Sequence, residues 1–188
     1  ILKEVKEAIP EDTIIFTDVG WNKNGVAQEF DITIPGTIHH SSGLATMGFG
    51  PAAVLGGKVA APDRMVWNLT GDGGFGINPS VMATAVEQGI ACTWIVMTNS
   101  AFGTIAGLEN ANYNTKFGTV FHTPDGASYT PHWAEVAKAY GVDSICISSA
   151  DELKGALEAA LAANKAGKPF LVEIPMENIV VPTPGCWN

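Results

Sequence analysis

The sequence predicts an α/β fold, a doubly wound and mainly parallel sheet with helices on both faces. Two apolar runs, Met65-Val66-Trp67-Asn68-Leu69 and Thr93-Trp94-Ile95-Val96-Met97, read as strands that lead directly into polar, glycine-rich turns. Strand-like and helix-like segments alternate along the chain, the pattern of a parallel sheet wound through crossover helices. Apolar residues make up 46% of the chain and charged residues 15%, which suits a well-buried sheet and excludes a disordered chain. At 188 residues, with no internal repeat and no low-complexity linker, the sequence reads as one domain with a real core.

The elements follow in order. Leu2 to Ile9 has helical periodicity and stops at Pro10, which cannot continue a helix. Thr13-Ile14-Ile15-Phe16-Thr17 is a short strand that ends at Asp18-Val19-Gly20, and the stretch from there to Gly48 reads as irregular. Phe49 to Ala61, rich in Ala and Gly, reads as a closely packed helix. A strand over 65–70 is followed by a helix from Pro79 to Gln88, with Asn78 as its cap, Pro79 in the first position and Gly89 as its stop. The strand over 92–98 opens into a polar segment, Asn99 to Pro131, too long for a mere connector. Trp133 to Tyr140 is a helix closed by Gly141, and Ser144 to Ile147 is a strand. Asp151 to Asn164 is an amphipathic helix with Leu153, Leu157 and Leu161 on one stripe, and Phe170 to Ile174 is the last strand.

Charge and cysteine usage narrow the partners. A formal net charge of −9 argues against nucleic acid and anionic membrane, both of which want a basic face. Cys92, Cys146 and Cys186 are an odd set without zinc-site spacing, and the first two, in apparent strands, read as buried reduced thiols of a cytoplasmic protein. No apolar run approaches the ~20 residues of a membrane span, and no signal peptide is visible.

The chemistry gathers at the ends of two strands. Thr70-Gly71-Asp72-Gly73-Gly74-Phe75-Gly76 follows one, and Thr98-Asn99-Ser100 closes the other. In a parallel sheet both ends lie at the edge where ligands bind, so Asp72 and Asn99, 27 positions apart, come side by side. A carboxylate and a carboxamide are hard oxygen ligands suited to magnesium, which takes a few protein oxygens together with phosphates. Glycines let backbone N–H groups come close to a diphosphate. The pair therefore points to a magnesium-bound diphosphate. Gly48-Phe49-Gly50-Pro51-Ala52-Ala53 also matches the G-x-G-x-x-A dinucleotide fingerprint, but Ser41-Ser42-Gly43 is not the strand that fingerprint requires, and NAD is rejected.

These residues carry a resemblance. GDG followed at this distance by Asn resembles the cofactor motif of thiamine-diphosphate (ThDP) enzymes. The runs Ser42-Gly43-Leu44-Ala45-Thr46-Met47-Gly48-Phe49-Gly50-Pro51-Ala52-Ala53, Ala83-Thr84-Ala85-Val86-Glu87 and Val181-Pro182-Thr183-Pro184-Gly185 resemble the acetolactate-synthase-like branch. Nearly the whole chain is similar to the C-terminal, diphosphate-binding domain of such an enzyme. The resemblance implies Asp72, Asn99 and the Ala101 backbone carbonyl as magnesium ligands, with Thr98-Asn99 where many relatives have Asn-Asn. It implies Gly71, Gly73, Gly74, Phe102 and Gly103 around the cofactor. Val19-Gly20-Trp21-Asn22 resembles the segment that meets the diphosphate from the other side, the alternative being a plain strand-to-helix turn. Ala45 and Met47 resemble the pair that holds the aminopyrimidine through a carbonyl and an N–H, with the Met47 side chain under the bent cofactor.

Three residues are candidates for acid–base or substrate roles. His39 and His40 are either pocket residues or polar residues at a strand end, and Glu109 is either an active-site group or a solvated loop carboxylate. Asn112 and Tyr113 fall in the same segment, where the family sets substrate choice. The family's glutamate that protonates the aminopyrimidine has no match here: Glu4, Glu7 and Glu158 lie on apparent surface helices. The resemblance thus implies half a site, completed by a pyrimidine-binding domain of the same or another chain in a homodimer or homotetramer. The expected activity is cleavage or formation of a C–C bond next to a carbonyl, as in 2-oxoacid decarboxylation or carboligation. Within the family the alternatives are a 2-hydroxyacyl-CoA lyase, an oxalyl-CoA-decarboxylase-like enzyme and a simple 2-oxoacid decarboxylase. Outside it they are a non-catalytic ThDP-binding subunit and a binding protein for another phosphate ligand such as a flavin.

Overall fold

The computed structural model describes residues 1–178. Six strands form one sheet: β1 (Ile14–Thr17), β2 (Ile38–His40), β3 (Val66–Gly71), β4 (Thr93–Thr98), β5 (Asp143–Cys146) and β6 (Phe170–Pro175), in the order β2-β1-β3-β4-β6-β5. Every pairing is parallel, so all six strands end at one edge. The chain leaves β1 toward β2 on one side and returns to place β3 on the other. That reversal between β1 and β3 is the switch point at which open α/β sheets hold their ligands.

Helices cover both faces. On one lie α3 (Phe49–Ala60), the short α4 (Asp72–Phe75), α5 (Val81–Gln88) and α7 (Trp133–Ala139); on the other lie α1 (Leu2–Ala8), α2 (Trp21–Glu29) and α8 (Leu153–Lys165). A further helix, α6 (Gly103–Tyr113), follows β4. Residues of β4 alternate between the two cores. Trp94 and Val96 pack with Val54, Phe75, Met82 and Trp133, whereas Ile95 and Met97 pack with Val26, Leu153, Leu157 and Ile174. Burial on both faces is why the strand's four central residues, Trp94–Met97, are all apolar. Fully burying one such large side chain contributes ~1.5–3 kcal/mol.

The two buried tryptophans of the sheet also satisfy their polar atoms. Trp94 donates its indole N–H to the Pro51 carbonyl at 3.1 Å, fixing the start of α3 on the sheet. Trp67 donates to Asn164 Oδ1 at 2.9 Å, where Thr93 Oγ1 also donates, while Asn164 Nδ2 donates to the Cys92 and Lys168 carbonyls. One carboxamide therefore joins the end of α8 to β3 and β4.

Four sequence expectations need correction. The stretch read as irregular contains α2 and β2, and the polar segment after β4 contains α6. The helix expected from Pro79 begins at Val81, and Asn78 Oδ1 accepts the Ser80 hydroxyl at 2.7 Å in place of capping the backbone. Cys92 is buried, but Cys146 is exposed, because β5 is the edge strand of the sheet. Cys186 and the run Val181 to Gly185 lie outside the described residues.

Candidate cofactor site at the switch point

Asp72 begins α4 directly after β3, is 4% exposed, and is held by backbone donors. Gly73 N–H donates to Oδ1 at 2.8 Å, while the Ser100 and Asn99 N–H groups donate to Oδ2 at 2.7 and 3.2 Å. The ends of β3 and β4 are thus tied through one carboxylate. Burial pushes the Asp72 carboxyl above the ordinary aspartate value, against the pull of these amides and of the Thr130 hydroxyl. Ser100 reaches this arrangement with a left-handed φ of +54°. Of the three non-glycine residues with positive φ among those described, Ser100 and Ala45 belong to segments of the candidate site, where backbone strain tends to gather.

The remaining candidates converge from three loops. A Cβ on Gly73 would lie 2.6 Å from the Phe102 ring and 3.3 Å from Met47 Cε, so the glycine lies between those side chains. A Cβ on Gly103 would meet Asn99 Nδ2 and Trp21 Cδ1, each at 3.0 Å. Gly20 has φ +104°, which glycine adopts readily, and it turns the chain from β1 into α2 beneath Thr104. Asn22 donates Nδ2 to the Val19 carbonyl at 3.0 Å and lies beside Gly71. Val19, Gly20, Trp21, Asn22, Met47, Gly71, Asp72, Gly73, Gly74, Asn99, Phe102 and Gly103 therefore form one neighbourhood. Ala45 is exposed, two residues before Met47. Ala101 bridges to Val120, with the flanking backbone bonds made by Ser100 O and Phe102 N.

The three candidates for acid–base or substrate roles have their own local partners, none of them Asp72. His39 and His40 close β2, the outermost strand beyond β1; His39 stacks on Phe16 and its Nε2 is 3.0 Å from Gly36 O, while His40 Nδ1 is 3.2 Å from Ser42 Oγ. Glu109, on α6, accepts the Thr119 hydroxyl at 2.8 Å and ties that helix to the loop after it. Sequence reasoning missed Ser100 and Thr130 as partners of Asp72, and missed the buried Asp18. The only signal for Asp18 was a carboxylate directly after an apolar strand.

The donor set fits a cation and a diphosphate. Among the described residues no three His, Cys, Asp or Glu side chains converge, so a metal here would rest on Asp72, the Asn99 carboxamide and backbone oxygen, the hard-oxygen set of magnesium. Asn99 Nδ2 faces Asn178 Oδ1 at 3.4 Å, which leaves its Oδ1 for a cation. Two buried oxygens beside the cradle, Asn22 Oδ1 and Thr104 Oγ1, lack a protein partner.

The family described as "Thiamine pyrophosphate enzyme, C-terminal TPP binding domain" matches residues 18–174, and the chain belongs to it. Among curated relatives, a probable acetolactate synthase large subunit of Methanocaldococcus jannaschii is 35% identical over 188 residues, covering 98% of this chain and 30% of the relative. A 3D-(3,5/4)-trihydroxycyclohexane-1,2-dione hydrolase of Bacillus subtilis is 31% identical over 159 residues, covering 85% of this chain and 25% of that protein. The chain thus spans less than a third of the length of these relatives. A solved structure, the thiamine diphosphate-dependent 4-hydroxybenzoylformate decarboxylase of Rhodococcus jostii RHA1, shares the fold with a TM-score of 0.82 at 23% identity, covering 96% of this chain and 32% of that one.

Proposed function

We propose that the chain is the diphosphate- and magnesium-binding part of a ThDP-dependent enzyme that makes or breaks a C–C bond next to a carbonyl. The observation that carries this is the convergence of Asp72, Asn99 and a glycine-lined turn at the switch point, in a chain that belongs to the thiamine pyrophosphate enzyme family. Asp72, Asn99 and the Ala101 carbonyl would hold magnesium. The turn Gly71–Gly74, the Gly20 end of α2 and the Asn99–Gly103 segment would surround the diphosphate, with Met47 and Ala45 toward the aminopyrimidine. Bound ThDP supplies a carbon nucleophile and an electron sink. This chain's residues orient the cofactor, and Asp72 keeps the ends of β3 and β4 in register while balancing the cation's charge.

We favour a 2-oxoacid as substrate, in decarboxylation or carboligation, because an acetolactate synthase is among the relatives matched over nearly the whole chain. The dione hydrolase widens the class to other carbonyl compounds. In our reading the residue that acts on the aminopyrimidine comes from another domain of a longer chain, or from a second subunit in an oligomer. Exposed apolar side chains adjoining Ala45, Gly48 and Gly103, namely Leu44, Ile77 and Ile105, support a covering partner. Among the described residues no helix is long and apolar enough to cross a membrane, and we assign the enzyme to the cytoplasm on its sparse cysteines. The test is Asp72→Asn in the full-length enzyme: ThDP-dependent turnover of 2-oxoacids is expected to vanish, and unchanged turnover would remove the metal assignment.

A further inference from the structure

Asp18 follows β1, and its side chain is wholly buried at 0% exposure. Oδ1 accepts the Val19 N–H at 2.8 Å and Oδ2 accepts the Gly50 N–H at 3.0 Å, with the Gly48 amide also directed at the carboxylate. Behind it stands Gly74: a Cβ there would lie 2.4 Å from Asp18 Oδ1. Among the described residues no cation pairs with Asp18. One carboxylate therefore touches three backbone segments. These are the Val19–Gly20 turn into α2, the Gly48–Gly50 start of α3 directly after Met47, and the α4 turn that begins with Asp72.

An unpaired buried carboxylate is costly unless several donors converge on it. Here those donors are backbone amides on segments that otherwise share no element, so the charge is spent on fixing their separation. We propose that Asp18 is a positioning residue for the cofactor site, setting the distance between the Met47 segment and the Asp72 turn. The proposal rests on the ThDP reading above. It assigns Asp18 a role through backbone geometry, whereas Asp72 faces the ligand.

The test uses the full-length enzyme with Asp18→Asn, Gly74→Ala, the double variant and Asp72→Asn. Asparagine keeps the size of Asp18 but turns an N–H₂ group toward amides that need an acceptor. Alanine at position 74 leaves the Asp18 charge and displaces it. ThDP binding is followed by calorimetry at saturating magnesium, with kcat and substrate KM measured at saturating ThDP and melting of the cofactor-free protein recorded alongside. We expect each single variant to weaken ThDP binding about tenfold and to lower kcat with KM unchanged. The double variant is expected to be little worse than either single one, because both disturb the same contact. A lower melting temperature with ThDP affinity and kcat as in the wild type would overturn the proposal and leave Asp18 a purely structural residue. If Asp18→Asn does not fold, the same readouts on Gly74→Ala decide. Wild-type enzyme that fails to bind ThDP, or Asp72→Asn that binds it normally, would sink the ThDP reading itself. Normal binding by Asp18→Asn beside a defective Asp72→Asn sinks only the role of Asp18.

Discussion

Asp72 is a carboxylate whose protein partners are all neutral donors, three backbone amides and a hydroxyl. The sign of its pH dependence follows from burial. A carboxyl raised in the fold takes up a proton more readily there than in the unfolded chain, so the cofactor-free protein loses stability from this group as pH rises through the raised value. A bound cation competes with that same proton. ThDP–magnesium affinity should therefore weaken on acidification at a higher pH than the ~3.9 of an ordinary aspartate would give. Calorimetric titrations between about pH 7 and about pH 4.5 check this; affinity that stays flat down to the ordinary value contradicts it. Ser100 gives a second prediction at this scale. A β-branched residue tolerates φ +54° poorly, so Ser100→Val should cost ~1–2 kcal/mol of stability and weaken cofactor binding by swinging two amides away from Asp72. Chemical denaturation with and without ThDP measures both effects.

Between elements, the Asn164 carboxamide carries four hydrogen bonds, three of which join α8 to the starts of β3 and β4, at the strand ends away from the candidate cofactor site. Asn164→Ala should leave the Trp67 and Thr93 donors and the Cys92 carbonyl short of partners and cost ~2–4 kcal/mol. ThDP affinity should not change, and a variant that melts normally but binds ThDP weakly would contradict this division of labour. The same elements explain what was legible in the sequence. β3 and β4 were readable because both faces are covered, which makes them mainly apolar, with Asn68 the one polar residue inside the run Met65–Leu69 and Trp94–Met97 unbroken. α8 was readable because Leu153 and Leu157 mark a buried stripe. α2 was not, since it contains Gly25 and two asparagines and buries only Asn22 and Val26. α6 buries only Ala106 and exposes Ile105, Leu108 and Tyr113, so no inward stripe marks it. β2 is three residues long and mostly exposed at the sheet edge, too brief for an apolar pattern. In the candidate site, the juxtaposition of Asp72 and Asn99 beside a glycine-lined turn was legible from type and spacing. Asp18, Ser100 and Thr130 were not, because their parts depend on backbone conformation and on contacts between distant segments.

As a whole molecule the chain spans less than a third of its curated relatives and exposes apolar side chains that include Leu44, Ile77 and Ile105, which adjoin the candidate-site residues Ala45, Gly48 and Gly103. On the proposed reading, an acidic protein with a net charge of −9 would bind a diphosphate through magnesium and backbone amides without a basic pocket, and so would depend on the metal. Removal of magnesium should therefore release the diphosphate even though the protein ligands stay in place. Native mass spectrometry of the full-length enzyme with ThDP and magnesium, repeated with EDTA, tests this most directly because it counts chains and cofactors together. The account predicts an assembly of two or more chains carrying ThDP and magnesium, with both lost on chelation. An assembly that carries no ThDP, or that keeps ThDP at full occupancy after magnesium has been stripped, would contradict it.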